Sequence, residues 1–418
     1  MAATEIIISE SGGVESRTVR PANEPRMDVR SKSDSFTAAT GATPKGRGSP
    51  GQENTQSELF QVLYQCKKIC QDIKTSRLPP LASRDLGKKT VSRELSDELV
   101  NAYLRTFEGV YRVLHVPTFR QEYATYWENP SEASEAFLIL LQLCMVLGTS
   151  IRESPASLKS IAIRWIYEAQ MWLMLPPEKS RMTLTGIQIM CLLTLAKMTC
   201  GVSADLTWVM AGSLVRTAMY IGLHRDPSHI SEMTVYKAEM RRRLWATIME
   251  LNLQYAFEAG GMPLISCDDY DTLPPAELDD DKLDDSIDDV GNRIASSAVA
   301  TQSSVLVQVY KSFPVRLKLL QYTNDFRVNF NYDETLRLNS ELTKACRSFT
   351  QTIGDLVRRP DGTSTLFDPE GDGPITSFHI SLAEVILYRC FHALHFPVLF
   401  TSFDDPKFYF SRKMCLDV

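Results

Sequence analysis

The segment Glu239–Pro275 reads EMRRRLWATIMELNLQYAFEAGGMPLISCDDYDTLPP, and its reading decides the fold. Apolar residues recur every three or four positions from Met240 to Phe257, which is helical spacing. Gly260-Gly261 ends that pattern and Pro263 prevents its return. We read a long amphipathic helix over 234–259, running into an acidic loop that ends at Pro274-Pro275. Arg241, Arg242 and Arg243 open the helix about 100° apart, so they do not share a face. Pairing with Glu239 or with acids after Ser266 is the expectation that follows. Three basic residues are also too short a run to define a nuclear-localisation cluster.

Outward from this helix the same periodicity repeats. Helices are expected over 96–110, 117–127, 132–149, 156–175, 183–200, 205–222, 300–328, 333–357 and 375–396, punctuated by Pro155, Pro176-Pro177, Gly201, Pro227, Pro360 and Pro374. Ser96, followed by Asp97 and Glu98, fits an N-cap. Upstream, Leu59, Val62, Leu63, Cys66, Ile69, Cys70 and Ile73 line one face of a helix over 57–74, with the two cysteines expected as buried thiols. Alternating strand patterns are scarce. The fold class is therefore all-α, a large multi-helix domain over 57–400. Residues 1–55 carry seven acidic and seven basic residues, much Ser, Gly, Thr and Pro, and little large apolar surface, so that tail is expected to be disordered.

The 418 residues are 44% hydrophobic and 23% charged, as in ordinary globular proteins. Net charge is −6, and Glu277–Asp289 alone holds eight acids and one lysine, leaving the remainder about neutral. Duplex DNA requires clustered Lys and Arg, so this chain by itself is expected to bind DNA poorly. Nine dispersed cysteines and the lack of a basic-then-apolar N-terminus suggest a reducing, intracellular setting. The strongly apolar stretch Ile187–Leu195, interrupted by Gln188, is about nine residues against the ~20 that a membrane span needs, so no membrane is implied.

Few residues form a catalytic pattern. His224-Arg225-Asp226 matches a kinase catalytic-loop triplet, but phosphoryl transfer there also needs an Asn where Ser231 stands, and a metal-binding Asp-Phe-Gly. A polar turn after a helix ending at Gly222 is the better reading. Asp280-Asp281-Lys282-Leu283-Asp284, within 279–285, fits an aspartate-rich magnesium motif of all-α prenyl-diphosphate enzymes, yet no second metal motif accompanies it. A solvated acidic loop over 276–292 is expected instead. His392 and His395 are spaced to chelate a metal but lack further ligands nearby, and read as core or surface histidines. No catalytic, cofactor-binding or metal residue is assigned. Met171, Trp172, Met174, Met190, Met198, Trp208, Met210 and Met219 could line an adaptable pocket, or simply be core.

Three blocks together resemble the fungal-specific transcription factor domain, the middle homology region of binuclear zinc-cluster regulators. They are LVNAYLRTFEGVYRVLHVPTFRQEYATYW at Leu99–Trp127, the Gly222-Leu223-His224-Arg225-Asp226 end of the helix from Thr207, and Arg241–Pro275, covering 95–275. The resemblance implies a non-enzymatic, nuclear regulatory domain that contacts other transcription regulators or coactivators, with a small-molecule effector and a homodimer as further family properties. Asn252 stands where the family commonly has Asp, and Gly261-Met262-Pro263 where it has Gly-Arg-Pro, which weakens any salt bridge there. No Cys-x2-Cys occurs, so the zinc module that reads DNA in the family, and its zinc, are expected to be absent from this chain, whether truncated, spliced out or lost. Two other readings stay open: a magnesium-dependent all-α enzyme using 279–285, and a helical scaffold that does not bind DNA.

Overall fold

Ser92, Ser134, Thr183, Thr234, Asn331 and Thr376 each turn a side-chain oxygen onto a backbone N–H two or three residues ahead, and each starts a helix. The computed structural model describes residues 61–70, 72–73, 86–88, 90–175, 178–230, 233–283, 299–325, 327, 331–358, 373–399, 403 and 405–417. The expected disordered tail at 1–55 lies outside them. Among the described residues beyond 90 the helices are α1 Arg93–Leu104, α2 Glu108–Tyr111, α3 Val116–Glu128, α4 Glu135–Ser150, α5 Ala156–Met174, α6 Leu184–Thr199, α7 Thr207–Tyr220, α8 Val235–Ala259, α9 Ser304–Lys311, α10 Phe313–Asn324, α11 Tyr332–Leu356, α12 Ser377–His395 and α13 Tyr409–Asp417. The fold is all-α, as expected.

Helix α4 lies between α1, α5 and α6, and α6 carries the packing on to α7 and α8. On its other side α8 meets α9 and α10, which pack with α11 and α12. One apolar core runs through all of these helices. From Ala238 to Ala256 every residue of α8 is buried, so the helix is enclosed rather than amphipathic. Its periodicity misled because its polar residues, read as a solvated face, are internal. Gly260, in the left-handed region at φ 59°, ends the helix.

Local chemistry explains the other departures. The expected helix over 96–110 divides after Leu104, where the Thr106 hydroxyl donates to the Ala102 carbonyl at 2.6 Å and competes for the helical acceptor. Its cap is Ser92, not Ser96; Ser96 is buried inside α1, with Oγ 3.3 Å from the Met145 sulfur. The expected helix over 300–328 breaks at Ser312, because Pro314 has no N–H to continue the ladder. Residues 61–70 are helical, yet Val62, Leu63 and Ile69 are exposed and so are Cys66 and Cys70. Periodicity shows that a face is apolar, not that anything covers it. Helix α13 was not expected; it packs on α12, where buried His395 holds Ser411 Oγ at 2.8 Å and Asn339 Oδ1 at 3.0 Å. His392, by contrast, is exposed and stacks near Phe396, so the two histidines do not converge.

Two predictions follow from this packing. A Cβ on Gly148 of α4 would lie 2.1 Å from the Leu99 backbone oxygen of α1, and neither backbone can yield. Gly148→Ala should therefore destabilise the fold by roughly 3 kcal/mol in chemical denaturation, and a loss below about 0.5 kcal/mol would refute this close approach. The second concerns pH. Burial pushes the pKa values of His379 and His395 down to about 4, so both are neutral in the fold. Between pH 6.5 and 4 the unfolded chain takes up protons that the folded chain refuses, so stability falls as pH drops through that window. His395→Gln should flatten the slope of unfolding free energy against pH there; an unchanged slope would show that His395 does not contribute.

Candidate functional site

The most ordered polar chemistry sits around α8, where the three family blocks meet. Arg241, Arg242 and Arg243 are 5%, 6% and 0% exposed, so none can reach a phosphate on an outside partner. Each ties a different piece of chain to α8. Arg241 donates Nη2 to the Gly222 carbonyl at 2.7 Å and holds the end of α7. Arg242 meets Asp226 through two bonds of 2.9 and 2.8 Å, and Asp226 also accepts from the N–H groups of Leu273 and Ser228. These bonds outweigh burial and hold the Asp226 carboxyl well below its ordinary pKa.

Arg243 donates to Glu239 at 3.1 Å, to Asp280 at 2.5 Å and to the Leu278 carbonyl at 2.8 Å. Arg112, in the left-handed conformation at φ 48°, brings a second guanidinium to the same Asp280 oxygen. The other oxygen of Asp280 accepts from the Val116 N–H at 2.9 Å. Although buried, Asp280 is held below the usual carboxylate range by the charges of Arg112 and Arg243. Glu108 lies 3.8 Å from Arg112 and accepts from the Tyr103 hydroxyl at 2.5 Å, yet burial raises its pKa to about 7. Further along α8, Glu250 takes a bidentate pair of 2.9 and 2.6 Å from Arg316 of α10.

These contacts settle several sequence readings. The expected pairing of the arginines with Glu239 and with the loop after Ser266 is found. The polar turn expected at His224-Arg225-Asp226 follows the end of α7, and within it Asp226 is 1% exposed and anchors Arg242. The loop 276–292 is not wholly solvated either: Asp280 is buried, Asp281 is exposed, and residues from 284 lie outside the described set. Asp280 is committed to two guanidiniums, so the aspartate-rich segment does not gather a cation through it. Asn252 is buried with neither amide atom hydrogen-bonded among the described residues. Among the described residues no three His, Cys, Asp or Glu side chains come together as a metal site would need. The cysteines are dispersed, with Cys144, Cys191, Cys346 and Cys390 buried and Cys66, Cys70 and Cys267 exposed, so they do not fit a zinc cluster.

Two of the recesses among the described residues bear on these readings. A groove of about 910 Å³ runs between α8, α10 and α12, with His392 and Arg389 on its wall. A smaller, mainly apolar cavity of about 330 Å³ lies between α5, α6 and α7. Met174, Met190 and Met210, three of the residues singled out from the sequence, line it, together with Met182, Gln170 and Arg181. Trp172 is buried behind it, with the Arg181 guanidinium 4.7 Å above its ring. Met198, Met219 and Trp208 do not line it and pack against the main core, as Met190 and Met210 also do. Periodicity could not have found Gln170, whose importance lies in what surrounds it.

Arg112, Asp226, Arg241, Arg242, Arg243 and Glu250, which make these internal ties, lie within the three blocks that carry the resemblance. The family described as "Fungal specific transcription factor domain" matches residues 100–347, and the chain belongs to it. It is 37% identical over 371 residues to "Transcription factor lepE" of Aspergillus flavus, covering 87% of this chain and 43% of that protein. "Transcription factor opdR" of Penicillium oxalicum is 36% identical over 371 residues, with 87% and 46% covered. "Zn(2)-C6 fungal-type transcription factor mpsB" of Macrophomina phaseolina is 29% identical over 205 residues, with 47% and 28% covered. The chain thus spans less than half the length of these curated relatives. No solved structure matches it.

The Glu250–Arg316 pair supplies a test of how the ties act. Glu250→Gln leaves the Arg316 charge buried without a counter-charge and should cost about 3–5 kcal/mol. Replacing both partners, as Glu250→Leu with Arg316→Met, should recover most of that loss. Equal destabilisation by the single and the double variant would refute a pairwise tie.

Proposed function

We propose that the chain is the regulatory domain of a nuclear fungal transcription regulator and that it works by contact rather than by turnover. The observation that carries this reading is the burial of all three arginines of the family's signature helix. A basic cluster spent on internal carboxylates and a carbonyl cannot neutralise DNA phosphates, so addressing a promoter belongs to other chemistry. In the Zn(2)-C6 class, to which the relative mpsB is assigned by name, a cysteine-held zinc module supplies that chemistry, and the cysteines described above do not form one. Partners are therefore other transcription regulators or coactivators, or a second copy of the chain. A small effector that prefers one packing of the helices would shift its activity.

The test joins the 418-residue chain to an unrelated DNA-binding domain in a fungal reporter strain. Reporter output should change several-fold, up or down, relative to that DNA-binding domain alone. The unfused protein should show no sequence-selective retention of duplex DNA. An unchanged reporter, or selective DNA binding by the chain alone, would sink the reading.

A further inference from the structure

The cavity between α5, α6 and α7 has the character of a binding site rather than a packing fault. Its volume of about 330 Å³ falls in the range of small-molecule sites, which begins near 300 Å³. An apolar cavity of roughly 150 Å³ already takes up benzene, so this one has room for two fused rings. Its walls are soft. Met174, Met182, Met190 and Met210 reach it from three helices and the 178–182 turn, and their unbranched thioethers adapt to flat guests.

Apart from the charged pair Glu178 and Arg181, the polar side chains of the lining are Gln170, Thr194, Ser213 and Thr217, and the Thr194 and Thr217 hydroxyls already donate to helix carbonyls. The side-chain oxygen of Gln170 is buried and has no hydrogen-bond partner. A buried acceptor without a donor costs about 1–3 kcal/mol, and an occupant that supplies the donor removes that cost. The mouth carries Glu178 and Arg181, opposite charges that offset each other. Arg181 is also engaged by the Leu175 carbonyl at 2.6 Å and by the Trp172 ring. That arrangement favours no net charge on the guest.

We infer that this cavity binds an uncharged, largely apolar, one- or two-ring organic molecule carrying a hydroxyl or amide N–H that donates to Gln170 Oε1. The inference rests on the regulatory reading above only for its consequence. Helix α7 forms one wall, and its end is tied to α8 by Arg241, so an occupant would bear on the contact between α7 and the central helix.

The probe is 2-naphthol, uncharged at neutral pH, two rings wide and bearing one O–H; naphthalene is its donorless counterpart. It is titrated into the full chain labelled with 13C at the methionine methyls. Signals from Met174, Met182, Met190 and Met210 should shift saturably, while those from Met145 and Met249, buried in α4 and α8, should stay in place. Gln170→Met should weaken 2-naphthol about tenfold, the worth of one buried hydrogen bond, and leave naphthalene unchanged. Ser213→Phe, at an exposed position on the rim, should abolish binding of both. Absence of shifts up to the solubility limit, shifts centred on Met145 or Met249, or equal loss of both probes in Gln170→Met would overturn the inference. Because the readout is binding by the isolated protein, a silent reporter would defeat the regulatory reading without touching this one.

Discussion

A helix enclosed on every side can carry charged side chains only if its neighbours neutralise them, and α8 imposes that condition on the rest of the structure. Removing a guanidinium from water is expensive, and the cost is recovered only through close carboxylates and carbonyls. Each buried charge on α8 therefore dictates where another segment must lie. Arg241 places the end of α7, Arg242 the turn at Asp226, Arg243 the loop to Asp280, and Glu250 the start of α10. Helices α6 and α7 on one side and α9 and α10 on the other meet on this axis. A bidentate pair is satisfied at one separation and one angle, so these contacts define register more than they add net stability.

The cluster at Asp280 shows how environment separates chemically similar groups. Arg112 and Arg243 face three carboxyls, those of Asp280, Glu239 and Glu108. Asp280 touches both guanidiniums and is driven towards the ionised form. Glu108 is the carboxyl in excess, 3.8 Å from Arg112, and burial brings its pKa to about 7. Burial raises the pKa of Glu239 as well, so of the three carboxyls it is Asp280 that the two guanidiniums hold ionised. That pairing also explains why the segment around Asp280 suits an internal lock better than a cation site, whose carboxylates must keep their oxygens open to the metal.

Much of the architecture was legible in order and approximate extent. Helices α3 to α8, α11 and α12 lie close to where periodicity placed them, because a folded helix must bury its apolar stripe. The breaks at 105–107 and at Ser312 were not foreseen. Thr106 and Pro314 act through local hydrogen bonding, which a hydrophobic pattern does not register. Burial was read less well. Cys66 and Cys70 lie on an apolar face that is exposed, whereas Asp280, expected in a solvated acidic loop, is internal. Part of the methionine-lined cavity could be guessed from Met174, Met190 and Met210. Gln170 could not, since an unpaired acceptor is defined by the space around it and not by its neighbours in sequence.

The chain's own residue order determined an all-helical fold and, through three spaced blocks, membership of a family; both rest on short-range rules of spacing, capping and turn chemistry. Tertiary structure alone decided that α8 is enclosed, that its arginines face inward, and that a cavity with one unsatisfied oxygen lies between α5, α6 and α7. The reason is physical. A charge on a helix is equally compatible with water or with a buried partner, and the choice depends on segments tens to hundreds of residues away, such as Asp280 meeting Arg112 across 168 positions.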